Sequence, residues 1–155
     1  MTKPHQHDCP VAQMLNLVGD HWTWLIIREA FFGVTRFNGF QQRTGIAKNL
    51  LADRLERLVL DGIFEKKDIG QKGTRYAYGL TAKGKALQPV LIAMLQWGNT
   101  HIYGKGNEPL QVVDKKTGRP LAPLQYVATD GRPVPRSDLA IVKGAGAQRS
   151  PQTQA

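Results

Sequence analysis

The segment FNGFQQRTGIAKNLLADRLERLVLDGIFEKK, from Phe37 to Lys67, limits what this chain can fold into more than any other part of it. It holds a short helix-like piece, a break at Thr44-Gly45, a longer amphipathic run and a stop at Asp61-Gly62. The pattern predicts a short helix over 36–43 and a stronger one over 46–60. At 100° per residue, Leu51, Leu55 and Leu58 stack on one face of the longer helix. Asn49, Ala52, Asp53 and Glu56 point away from that face, Lys48 sits in the first turn, and Arg54 and Arg57 lie on a flank. A charged β-like segment follows without a spacer.

The flanking regions extend the pattern. Pro10 suits the first turn of a helix, and Val11, Met14, Leu15 and Val18 share one face of it up to Gly19. Asp20 is a good N-cap for the next run, HWTWLIIREAFFG, which ends at Gly33. That run is apolar nearly all round, so its helix is expected at the centre of the core, with its aromatics as packing residues. Beyond the opening segment, IFEKKDI and RYAYGLT read as two strands joined by Gly70-Gln71-Lys72-Gly73, a hairpin with a basic tip. Thr81 then caps a last helix, expected over 81–103, with the stripe Leu87, Val90, Leu91, Met94, Leu95 and Trp97.

Helix, helix, helix–turn–helix, hairpin, helix is the order of a winged helix–turn–helix, an α+β fold. Double-stranded DNA gives each part a use. The major groove, about 12 Å wide, admits one α-helix. That helix must be held from behind, which Leu51, Leu55 and Leu58 can do, and its first turn needs donors, which Lys48 and Asn49 supply. The hairpin needs positive charge to approach phosphates, and Lys66, Lys67, Lys72 and Arg75 provide it. Lys66 and Lys67 alternate across a strand, so only one of them is expected to face DNA. Arg54, on its flank, either braces the fold or contacts phosphate. The charge distribution agrees: residues 36–85 hold eleven Lys/Arg against five Asp/Glu, in a chain of net charge +9. Such a balance favours a polyanion, nucleic acid or an anionic membrane surface.

The motifs also carry a resemblance. A Cys-Pro (Cys9, Pro10) precedes Gly19-x-x-Trp22-Thr23, then Arg36-Phe37-x-x-Phe40, then Gly45-Ile46 with Leu51, Arg54 and Leu55, and finally Tyr78-x-Leu80-Thr81-x-Lys83-Gly84. In order and spacing this resembles the HxlR family of bacterial transcription regulators over about residues 9–98. The resemblance implies a homodimer on a pseudo-palindromic operator. DNA contacts are accordingly expected from Arg36, Lys48, Asn49, Arg54, Arg57, Lys67, Lys72 and Arg75. The dimer interface is expected from the first and last helices, through Leu15, Leu87, Leu91, Met94 and Trp97. Regulators of this type often sense oxidants or electrophiles through an N-terminal cysteine, which makes Cys9 a candidate redox sensor; the other reading is a small residue in the dimer interface. With one cysteine, a disulfide within the chain is impossible, which is compatible with a reducing cytoplasm.

From Gly104 the composition shifts to Gly, Pro and short apolar patches. TGRPLAP and DGRPVPR form a weak internal repeat between the expected strands LQVVD, LQYVAT and LAIV. The organisation read from sequence is a mobile arm over 1–9, a DNA-binding and dimerisation domain over 10–104, a small β-rich C-terminal extension over 105–142 and a disordered tail over 143–155. The extension resembles a zinc-knuckle tail of longer family members but has no cysteine, so no metal is expected there. His5, His7 and Asp8 beside Cys9 read as an adventitious metal-binding tip, not a metal site. No nucleophile–base pair, phosphate loop or paired carboxylates stand out, so no enzyme and no cofactor is expected. No apolar run has the length of a membrane span, and no membrane partner is expected. The alternative is a winged helix used only for protein–protein assembly.

Overall fold

A computed structural model describes residues 9–70 and 75–146. Lys72 of the hairpin tip, the histidines at 5 and 7, and residues 147–155 of the tail lie outside the described residues. The chain forms two units, one ending at Leu110 and one beginning at Gln111.

In the first unit the order is α1 (Pro10–Val18), α2 (His21–Phe31), α3 (Phe37–Thr44), α4 (Lys48–Leu60), β1 (Phe64–Asp68), β2 (Tyr76–Leu80), α5 (Ala82–Lys85) and α6 (Gln88–Gly98), with a π-helical turn over Asn99–Tyr103. Its core is made by Val18 of α1, Ile26 and Ile27 of α2, Phe40 of α3, Ile46, the three leucines of α4, Ile63, Phe64 and Tyr78. Asp20 caps α2 as expected, accepting from the Thr23 amide at 3.1 Å. Between α3 and α4 the chain turns at Gly45, with φ +73°, and the Gly45 amide bonds back to the Gln41 carbonyl at 2.9 Å. A side chain there would meet the left-handed penalty, which is why glycine closes the turn.

The two strands pair antiparallel, with Phe64 opposite Leu80 and Asp68 opposite Tyr76. The amide of Tyr78 also bonds to the Thr35 carbonyl at 2.8 Å, so the hairpin is tied to the entry of α3. The Thr81–Gly84 segment closes the structure behind it. The Thr81 hydroxyl donates to the Gly62 carbonyl at 2.7 Å and accepts from the Gly84 amide at 3.1 Å. Lys83 Nζ donates to the Asp61 carbonyl at 2.8 Å. A Cβ on Gly84 would sit 2.2 Å from the Ile63 carbonyl oxygen, so only glycine fits. The Thr-x-Lys-Gly motif is therefore a latch joining the end of α4, the start of the wing and α5.

The last helix is not continuous over 81–103. It breaks at Ala86-Leu87 between α5 and α6, and changes to π geometry after Gly98. Pro89 lies in the first turn of α6, where a missing amide costs nothing; in a helix running on from Thr81 the same residue would be interior. The expected starts of α3 and α4 also shift by one and two residues, to Phe37 and Lys48.

The second unit begins at Gln111, and within the first unit the Asn99 side-chain amide donates to the Leu110 carbonyl at 2.8 Å. The three strands expected in the extension are not formed among the described residues. Instead two isolated antiparallel bridges, Val113–Pro120 and Val127–Pro133, each close a turn, and a single 3₁₀ turn spans Arg136–Asp138. Prolines at the bridging positions cannot donate to a longer ladder, which limits each pairing to one bridge.

Candidate nucleic-acid interface

Helix α4 has a buried back and an open front. Leu51, Leu55 and Leu58 are fully enclosed, whereas Lys48, Asn49, Ala52, Asp53, Glu56 and Arg57 are exposed. Lys48 and Asn49 occupy its first two positions, beside amides that no side chain caps. Those amides and the positive end of the helix dipole suit a phosphate or an electronegative base edge.

The expected DNA-contact residues divide into three groups. Arg36, at the N-cap of α3, Lys48 and Arg75, beside the hairpin tip, are exposed and make no ion pair among the described residues. Asn49 is exposed beside them. Arg57 and Lys67 are exposed but have acidic neighbours, Asp61 at 3.9 Å and Glu65 at 2.7 Å. Arg54 stands apart. Its Nε donates to Asp20 Oδ1 at 3.2 Å and its other end to Asp53 Oδ2 at 2.6 Å. Of the two roles left open for Arg54, these bonds favour the brace, because they tie α4 to the cap of α2. Lys66 lies over the Tyr76 ring, 3.8 Å from its centre, on the face opposite Lys67.

Sequence reasoning missed the other brace. Glu29 is buried within α2, between Arg28 on the same helix and Arg43 near the end of α3. A glutamate inside an otherwise apolar helix was the available signal. The two helices of the helix–turn–helix are thus each tied to α2 through one carboxylate: α3 by Arg43 to Glu29, α4 by Arg54 to Asp20.

Both carboxyls titrate below their usual range. For Glu29, burial opposes ionisation, but hydrogen bonds from Arg43 and Arg28 and their charges outweigh it. For Asp20, burial is likewise overcome by the Thr23 hydroxyl and amide and by Arg54. A folded pKa below the unfolded value means stability that is fully present above the unfolded pKa, about 4, and lost as pH falls toward the folded one. The melting temperature of the wild type should therefore drop faster below about pH 5 than that of Glu29→Gln, narrowing the gap between them. A gap that stays constant with pH would remove Glu29 from the acid response.

The candidate dimer residues are not equally open. Leu15, Met94 and Trp97 are exposed by 48%, 47% and 61%. Leu91 is half-buried, and Leu87 packs against the core of its own chain, so it has less apolar surface left to offer a partner than the stripe implied. Cys9 is exposed immediately before α1. No cluster of three or more potential metal ligands occurs among the described residues, and no helix among them is long and apolar enough to cross a membrane.

Comparison with known proteins places this geometry. The family described as HxlR-like helix-turn-helix matches residues 17–105. An uncharacterized HTH-type transcriptional regulator of Mycobacterium tuberculosis, Rv3095, is 31% identical over 136 residues, 88% of this chain and 86% of its own length. The crystal structure of PA1607, described as a candidate transcription factor, superposes with a TM-score of 0.81 at 40% identity, covering 90% of this chain and 97% of that one. The redox regulator HypR in its reduced form is similar over 58% of this chain and 90% of its own, with a TM-score of 0.55 and 30% identity.

Proposed function

Since the chain belongs to the HxlR-like helix-turn-helix family of transcription regulators, we propose that it binds a specific double-stranded DNA operator as a homodimer and acts by binding, without catalysis. The observation that carries this reading is the first turn of α4, where Lys48 and Asn49 are exposed while Leu51, Leu55 and Leu58 anchor the helix from behind. An asparagine amide pairs with the N6 and N7 edge of adenine, and the lysine reaches a phosphate or a guanine. Arg36 and Arg75 add phosphate contacts from the start of α3 and the hairpin.

The exposed apolar residues of α1 and α6 favour a second copy as partner, because Trp97, Met94 and Leu15 together are costly to leave in water. A two-fold dimer would set its two recognition helices on half-sites one helical turn apart, or a multiple of that. The same reading places the protein in the cytoplasm with DNA. Its signal would be an electrophile or a small molecule, and the exposed thiol of Cys9 is open to the first. HypR, similar over the winged domain, is described as a redox regulator.

Footprinting on the DNA flanking its own gene tests the proposal. Two protected half-sites related by a two-fold are expected. On that operator Asn49→Ala should cost about 1–3 kcal/mol, with a much smaller loss on random DNA. An equal loss on both would make Asn49 a backbone contact or a structural residue. No protection at low salt would favour the protein-assembly alternative.

A further inference from the structure

The weak repeat in the extension is a repeat of structure as well as sequence. In each copy a glycine at positive φ, Gly118 at +68° or Gly131 at +86°, is followed by arginine and a bridging proline. The carbonyl of Arg119 accepts from the Asp114 amide at 2.8 Å, and that of Arg132 from the Ala128 amide at 2.8 Å. Across each bridge a second bond closes the turn, from the Leu121 amide to Val112 at 2.9 Å and from the Val134 amide to Tyr126 at 2.8 Å. Each arginine backbone is therefore pinned while its side chain is exposed.

The nearby carboxylates do not neutralise these arginines. Asp114 accepts from the Lys116 amide at 2.9 Å and from the Thr117 hydroxyl at 2.8 Å; Asp130 accepts from the Arg132 amide at 3.0 Å. Both acids stabilise their own turn. Residues 111–146 hold six Lys/Arg, namely Lys115, Lys116, Arg119, Arg132, Arg136 and Lys143, against three aspartates. None of the six forms an ion pair among the described residues, and all are exposed. A cation on a fixed backbone loses less freedom on meeting a phosphate than one on a loose chain.

We propose that the two Gly-Arg-Pro turns of residues 111–146 form a second DNA-backbone-binding element, with Arg119 and Arg132 as its phosphate contacts. It rests on the reading of the chain as a DNA binder and adds affinity, not sequence preference, because arginines on phosphates carry no base information. DNA is favoured over the other phosphate-bearing surface, an anionic membrane, because the same chain carries the helix–turn–helix.

The test uses the full chain and a random-sequence duplex. Arg119→Ala with Arg132→Ala is compared with wild type across 50–200 mM salt, and the slope of log affinity on log salt should flatten by about 1.8 per bound chain. The paired change to lysine should keep the slope, since the charge stays. No described residue of the unit is buried, so neither change removes a packing contact, and circular dichroism should not move. If wild type binds and the alanine variant keeps the full slope, the element does not contact DNA, while the α4 reading stands. If the alanine variant loses binding only to phosphatidylserine vesicles, the proposal is also wrong. If wild type binds no duplex at low salt, both readings fall.

Discussion

Leu55→Ala should lower the stability of the first unit by about 2–5 kcal/mol, the range for removing a fully buried leucine. For a unit of this size about 1 kcal/mol moves the melting temperature by roughly 4–8 °C, so the shift should reach at least about 8 °C. Leu55 has no exposed surface and sits midway between Leu51 and Leu58 on the back of α4. The cavity would open where α4 packs on the core, behind the helix proposed to read DNA. Leu60, on the same helix, is 81% exposed, and Leu60→Ala should stay within about 0.5 kcal/mol of wild type. Equal losses at the two positions would mean that α4 is not anchored as described.

Binding to DNA should be steeply salt-dependent. A dimer neutralising about six phosphates through Arg36, Lys48 and Arg75 of each copy would lose roughly three decades of affinity between 50 and 200 mM salt. That is about 4 kcal/mol. Arg75→Ala should flatten the slope by about 0.9 per copy and weaken all sequences alike. Arg54→Ala should leave the slope unchanged, because that guanidinium is already held by Asp20 and Asp53. A slope lost with Arg54 and kept without Arg75 would invert the assignment of brace and contact.

Much of the winged helix was legible because its signals are local. The leucine spacing of α4, the cap at Asp20, the glycine at position 45 and the two strand-like runs each depend on a few neighbouring residues, and these elements formed within a residue or two of their expected bounds. The fate of the charged residues was less legible. Arg54 and Lys48 are both cations on a leucine-backed helix, and the sequence left two roles open for Arg54. Arg54 meets a carboxylate 34 residues earlier in the chain, whereas Lys48 meets none among the described residues. The order of elements and the anchored face of α4 were thus determined by the sequence itself, because helical periodicity and turn chemistry act over a few residues. Only the tertiary structure decided that Glu29 and Asp20 claim Arg43 and Arg54, that Thr81, Lys83 and Gly84 form a latch, and that the extension closes two turns without a strand. Those outcomes depend on which groups distant in the chain come within hydrogen-bonding reach, and hydrophobic periodicity along one sequence carries no record of that distance.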